Sequence, residues 1–268
     1  MSGFSADWLT LRAAHDDAAR CPTLARAFVR RLPANPHLVD LGAGTGAARR
    51  ALDPLLRGRA RWTLVDADAA LLRLAVRDGG PGRSAVRARR RGLAGPLRDL
   101  LAGADGVTAF AFLDLVSPGW IARLAEALAG LPFYAPLVVD GGVDWRPVDP
   151  DDGLVDRLFL AHQHRHKGFG PALGPSAPGA AATLFRRAGC RFRTAPSDWV
   201  VTAADPAMLA ALVDGAAGAA AEQSPAERAR IAAWGERRRA AIAVGRLSVR
   251  VGHRDLLAWR SSGNDAGA

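Results

Sequence analysis

A short apolar run that ends in a glycine-rich turn, followed at once by a helical pattern, restricts this chain more than any other feature. His37–Leu41 is the run, Gly42-Ala43-Gly44-Thr45-Gly46 the turn, and 45–56 the helix. The unit recurs in outline. A strand over 61–65 ends at Asp66, and Asp68 then caps a helix to about Arg77, since its carboxylate can accept from the first-turn N–H groups. Further strands are predicted over 84–88, 106–113 and 133–139. Helices are predicted over 92–102 and, after the Ser117-Pro118 start signal, up to Ala129. Strands that alternate with helices five times predict right-handed βαβ units and a parallel sheet covered on both faces.

The flanks read differently. Helices are expected over 5–14 and 15–31, before Pro33 and Pro36 break the pattern. In the second half, 149–166 is helical and 168–179 is a Gly/Pro-rich loop leading into a helix to Ala188. A single strand over 191–194, extended by 199–202, helices over 206–222 and 225–244, and a strand over 247–259 follow. No linker or internal repeat divides the chain. It reads as one domain over 1–260, with a helical cap at 1–35, a helical insert at 205–244 and a disordered tail at 261–268.

Composition excludes several classes. The 268 residues are 49% hydrophobic, enough apolar material to offset the entropy of ordering, so general disorder is excluded. The best apolar stretch, 121–139, is broken by Arg123, Glu126, Gly130, Pro132 and Pro136, which argues against a bilayer span. Residues 1–12 lack a basic segment followed by an apolar run, so no secretory signal is expected. Cys21 and Cys190 form neither a disulfide framework nor a metal spacing, and a reducing cytoplasm is the expected compartment. The net charge of +10, from 36 Lys+Arg against 26 Asp+Glu, raises nucleic-acid binding. But Lys167 is the single lysine, and the arginines are mostly interspersed with acids. That profile suggests a GC-rich genome rather than a nucleic-acid footprint. The one dense run, Arg87-Ala88-Arg89-Arg90-Arg91, reads as a solvated surface.

The turn after the first strand permits two readings. Glycines there let a ligand reach the backbone without Cβ obstruction, and Asp66, 24 residues after Gly42, can accept from ribose hydroxyls. Gly42-Ala43-Gly44-Thr45-Gly46-Ala47 also satisfies the dinucleotide form G-x-G-x-x-A. Three features favour another ligand. Asp40 stands where dinucleotide sites usually carry an apolar residue, and its carboxylate can hold an ammonium or a water. No second catalytic domain is visible. The last two strands are separated only by helices, which permits an antiparallel final pair.

These residues resemble the class I S-adenosylmethionine-dependent methyltransferases, over about residues 36–259. Asp40, Gly42, Gly44 and Gly46 match the first motif of that family, and Asp66 matches its ribose-binding acid. The resemblance implies a three-layer Rossmann-like sandwich: a seven-stranded, mostly parallel sheet with an antiparallel last strand, an N-terminal helical lid and a helical insert. It implies S-adenosyl-L-methionine as cofactor, with Ala43, Ala67 and Leu113 joining those residues around it. The family often has an acid near the end of the third strand, at the adenine; here that place holds the arginine run. The segments 7–12, 112–117 and 167–175 also look like a bacterial methyltransferase group of unassigned substrate. That group usually has Glu-Pro after the early arginine, where this chain has Ala13-Ala14.

An acceptor is expected beyond the carboxyl ends of the strands. Trp8 and Arg12 on the lid, Asp140 and Trp145 after the fifth strand, and His164 and Phe169 in the second half are the candidate substrate-binding residues. Asp114, His162 and Lys167 are the candidate catalytic groups: a carboxylate and an imidazole to accept a proton, and a compact cation to neutralise a carboxylate or phosphate. On a continuous helix His162 and His166 share a face, but no convincing third ligand is present, so no metal is expected. The expected partner is a small-molecule substrate, with neither nucleic acid nor membrane favoured. An RNA-modifying methyltransferase, an NAD(P)-dependent oxidoreductase and a non-catalytic binding protein are the alternatives.

Overall fold

The computed structural model describes residues 4–77 and 84–260; the predicted tail over 261–268 lies outside them. Chain order begins with α1 (Ala6–Ala19), α2 (Pro22–Val29), β1 (His37–Leu41), α3 (Ala47–Leu52), β2 (Arg61–Asp66), α4 (Ala69–Arg77), β3 (Ala85–Arg90) and β4 (Gly106–Thr108). It continues through α5 (Pro118–Leu128), β5 (Phe133–Arg146), α6 (Asp152–Gln163), α7 (Ala177–Arg187), β6 (Arg191–Pro196), β7 (Trp199–Val201), α8 (Pro206–Gln223), α9 (Arg228–Ala243) and β8 (Ser248–Trp259).

The described strands form one sheet in the order β3-β2-β1-β4-β5-β8-β6, with β7 pairing alongside β8. The first five are mutually parallel, and β8 is antiparallel to β5, β6 and β7. Side chains alternate across the sheet, as the pleat requires. Val39, Val107, Phe133 and Leu256 enter the core beneath α5 and α7, whereas Leu38, Tyr134 and Leu257 enter the one beneath α2, α3 and α4. A third core, built on Trp145, Trp199, Met208, Val213 and Trp234, joins α8 and α9 to the far end of β5 and β8.

Several expectations change. The first helix runs through residue 14 without a break and ends at Ala19; the stop comes at Arg20-Cys21-Pro22, where Pro22 starts the next helix. Residues 92–102 form turns, not a helix. Gly92, Gly95 and Pro96 disfavour helix there, and the buried Leu93, Leu97, Leu100 and Leu101 pack under α5 from a loop. The Trp120 indole pins that loop by donating to the Leu93 carbonyl at 2.7 Å. The fourth strand keeps ladder form only over Gly106–Thr108, because the chain turns at Ala111 (φ 47°). Its apolar continuation is buried as cavity floor and core, which a hydrophobic run alone does not distinguish from strand. The Gly141-Gly142 pair does not end the fifth strand; it is absorbed in an irregularity between Val139 and Val143, and β5 continues to Arg146. The sheet thus has eight strands where seven were expected, the short β7 being the addition.

The β5–β8 pair is held by a buried carboxylate. Asp255 accepts from the Tyr134 hydroxyl at 2.8 Å, the Leu137 N–H at 3.1 Å and the Cys21 N–H at 2.8 Å. Leu137 has φ 61°, and its amide is released from the ladder by the register shift between Ala135 and Val138. Replacing Asp255 with Ala strands three donors, two of them buried. We expect Asp255→Ala to cost about 3 kcal/mol or more, read as a lowered urea midpoint at unchanged slope.

Candidate functional site

The turn after β1 is shaped by three left-handed glycines. Gly42 (φ 73°), Gly44 (φ 51°) and Gly46 (φ 83°) carry conformations that a side chain resists. Contacts fix two of them further. A Cβ on Gly42 would stand 2.6 Å from the Phe112 ring, and one on Gly44 would stand 3.3 Å from Leu9 of α1. The N-terminal helix therefore lies directly over the glycine turn. Asp66, ending β2, accepts from the Gly44 N–H and the Asp68 N–H, each at 2.9 Å. Its charge braces the turn from the side. Asp68 in turn accepts from Ala70 N–H at 2.6 Å, capping α4 as expected.

A cavity of about 1330 Å³ opens between this turn and α1. That exceeds the space one drug-sized ligand occupies, and it has room for two. Gly42, Ala43, Gly44, Asp66 and Ala67 line one end, with Arg90 to Ala94 beyond them. Trp8 and Arg12 of α1 form the roof; Phe110 to Phe112 and Leu137 the floor; His166 to Phe169 the far wall. Ala111 and Leu137 both hold left-handed backbone on this floor, and the Ala111 N–H donates to the Pro136 carbonyl at 2.9 Å. Non-glycine residues in this region concentrate at functional sites.

The other predicted site residues stand off the wall. Asp40 is buried behind the turn and accepts from the Thr108 hydroxyl at 2.7 Å. Burial pushes its carboxyl up to about 7, and the nearby Asp66 adds to the rise. Gly46 faces Ala75 of α4, so its role is helix packing. Leu113 is core. The Asp114 carboxyl is buried outside the cavity lining, with Oδ1 lacking a partner; burial raises it to about 6 against the pull of Arg12 and Lys167.

Four expected residues are carried away by tertiary structure. Because β5 continues past the sheet's carboxyl edge, Asp140 sits mid-strand, accepting from Gly142 N–H and paired with Arg254 at 3.2 Å. Trp145 lies in the third core against Trp234, their ring centroids 5.5 Å apart. His162 turns to Glu222 of α8 at 3.1 Å, and His164 Nδ1 lies 3.2 Å from the Ala172 carbonyl oxygen. Helix α6 ends at Gln163, so His166 does not share a helical face with His162; it reaches the cavity instead. Among the described residues, no group of three His, Cys, Asp or Glu is placed to hold a metal.

The sequence reading missed Leu9, Phe110, Leu137 and His166 on the wall. A phenylalanine pair flanking the end of a strand was a signal for Phe110 and Phe112; left-handed backbone at Leu137 carries no sequence signal. The arginine run is half-absorbed by the site: Arg90 donates to the Ala67 carbonyl at 3.3 Å beside the Asp66 end.

No protein-family model matches the chain, and no curated protein matches it. Solved structures do. A candidate type II methyltransferase from Anaeromyxobacter dehalogenans is 21% identical, with a TM-score of 0.52 over 89% of this chain and 95% of that one. A cyclopropane-fatty-acyl-phospholipid synthase-like protein from Lactobacillus casei is 13% identical, with a TM-score of 0.56 over 96% and 95%. A candidate methyltransferase from Bacillus halodurans is 11% identical, with a TM-score of 0.50 over 90% and 100%. The chain has the class I methyltransferase fold.

The state of Asp40 has a measurable consequence. Its unfolded carboxyl ionises near 3.8, while the folded one keeps its proton to about 7. Its contribution to stability therefore falls as pH rises through that window, by roughly 4 kcal/mol in all. Asp40→Asn keeps an acceptor for Thr108 and has no proton to lose. We expect the variant's melting temperature to exceed that of the parent at pH 8, with the difference shrinking toward pH 4.

Proposed function

We propose that this chain is an S-adenosylmethionine-dependent methyltransferase that acts on a small molecule. The observation that carries the reading is the Asp66 carboxylate. It lies on the cavity wall beside the Gly42–Gly44 turn, at the carboxyl ends of β1 and β2. Dinucleotide-binding folds share such a turn. Their usual strand order, 3-2-1-4-5-6, lacks an antiparallel strand between the fifth and sixth, which β8 supplies here.

The residues present fit this cofactor. Without Cβ atoms, Gly42 and Gly44 let a ligand lie against the backbone, and Asp66 can accept from vicinal ribose hydroxyls. The wall from Arg90 to Ala94 suits a planar base. Arg90, anchored on the Ala67 carbonyl, offers a guanidinium face where other members of the fold often place an acid. Once bound, the cofactor supplies a methyl group on a sulfonium, an electrophile that needs an aligned nucleophile. What remains for the protein is positioning and exclusion of water. Leu9 closes α1 over Gly44, and Phe112 packs against Phe169 with centroids 5.5 Å apart. Together they bound a space suited to a small acceptor rather than an open groove for a polymer. Trp8, Arg12, Lys167 and Phe169 bound that space.

We expect Asp66→Ala to lower affinity for S-adenosylhomocysteine about a hundredfold by calorimetry, the loss of hydrogen bonds to a charged acceptor. Gly42→Val, which drives a side chain into Phe112, should abolish binding. Retained affinity in both variants, each folded by circular dichroism, would overturn the cofactor assignment.

A further inference from the structure

We propose that the acceptor is a small organic anion, a carboxylate or phosphate on a flat apolar body, held by Lys167 and Arg12. This rests on the reading of the cavity as a methyl-transfer site and specifies the chemistry of its acceptor end.

The charges of the wall are mostly spoken for. Arg20 pairs with Asp17, Arg91 with Asp99, and Arg50 donates to the Thr45 carbonyl. Asp66 and Asp68 are taken up by backbone N–H groups at the opposite end. Arg73 is exposed on the outer rim. Lys167 differs from all of these. It is half-buried on the wall, and among the described residues it has neither a hydrogen bond nor an ion pair. A partly desolvated ammonium without a counter-charge is costly, and an anionic ligand offsets that cost. The acid that senses it, Asp114, lies outside ion-pair distance and off the cavity lining. Lysine is also the cation this composition otherwise excludes.

Arg12 supplies the second contact, fixed in advance. Its Nε and Nη2 clasp Asp16 at 2.9 and 3.0 Å, and its guanidinium lies 4.7 Å from the Trp199 ring centroid. The Trp199 indole donates to the same Asp16 at 3.0 Å. Two of the three nitrogens are thereby spent on positioning, and Nη1 makes no bond to the described residues. The guanidinium is 7% exposed as a residue, yet it lines the cavity, so it meets a ligand with little reorganisation. With Arg12 paired to Asp16 and Arg20 to Asp17, Lys167 is the cation of the acceptor end that has no ion pair among the described residues, and an anion on the cavity side can supply one. The surrounding surface is apolar and aromatic: Phe112 and Phe169 meet edge to face, and Trp120 backs them with its centroid 6.2 Å from Phe169. A flat apolar body can lie against the exposed side of these rings.

The test is a calorimetric titration of the protein saturated with S-adenosylhomocysteine, using benzoate and phenyl phosphate as probes. Benzamide and benzylamine serve as neutral and cationic counterparts. We expect saturable binding of at least one anion, at least about tenfold tighter than benzamide, with no binding of benzylamine. The preferred anion distinguishes a carboxylate from a phosphate acceptor. Lys167→Gln, a change on a loop with no partner to lose, should weaken that anion about tenfold and leave the S-adenosylhomocysteine affinity unchanged. The proposal is overturned when neither anion binds, when benzamide binds as tightly, or when Lys167→Gln changes nothing. Failure of S-adenosylhomocysteine itself to bind counts against the cofactor instead, and the same probes are then titrated into the protein alone.

Discussion

Antiparallel pairing of β5 with β8 organises the rest of the molecule. Their register runs from Phe133 opposite Ala258 to Arg146 opposite Ser248, the longest ladder in the sheet. At one end the pair joins the parallel strands to β6. At the other it projects past the sheet as a two-stranded arm, widened by β7, on which α8 and α9 pack through Trp145, Trp199 and Trp234. Asp255 stands at the junction and fixes the kinked Leu137 on the cavity floor. The same pair therefore shapes the site and carries the helical insert.

The arm also controls the lid. Trp8 and Leu11 of α1 pack against the third core, Trp8 meets Trp199 at 6.2 Å, and His15 pairs with Asp205 at the start of α8. Arg12 is thus positioned from β7, an element remote in sequence, and α1 is held over the glycine turn by the insert rather than by the turn alone. Arginine serves a second structural purpose below the arm. Arg237 bridges Asp149 and Asp151 at 2.7 Å, and the buried Arg238 reaches Asp152 while lying over both Trp145 and Trp234. Exposed pairs contribute little each, but this cluster ties the N-terminus of α6 to α9 around buried tryptophans. Part of the basic charge is engaged in this way, as structural contacts within the fold.

Local chemistry made the first half of the chain legible. The glycine turn, the Asp68 cap, the Ser117-Pro118 helix start and β1 through β3 follow from patterns within a few residues, because each rests on a short-range contact. The misreadings share a cause. An apolar run is buried whether it is strand, loop or floor, so 106–113 read as strand and 92–102 as helix. A glycine pair breaks a strand or bends it; which one happens at Gly141-Gly142 depends on whether β8 lies alongside.

The sequence by itself determined the class of fold and one end of the site. Alternating strands and helices leave few ways to bury their faces, and three glycines followed by an acid on the next strand suit a ligand with hydroxyls to hold. Only the tertiary structure decided which distant residues face the cavity. Asp140 and Trp145 were drawn to the arm, His162 to the insert and His164 to the loop at Ala172, while Leu9, Phe110, Leu137 and His166 were brought to the wall. The physical reason is the β5–β8 ladder: a strand's length is set by its partner, and where β5 ends determines which side chains lie at the crevice and which are buried beyond it.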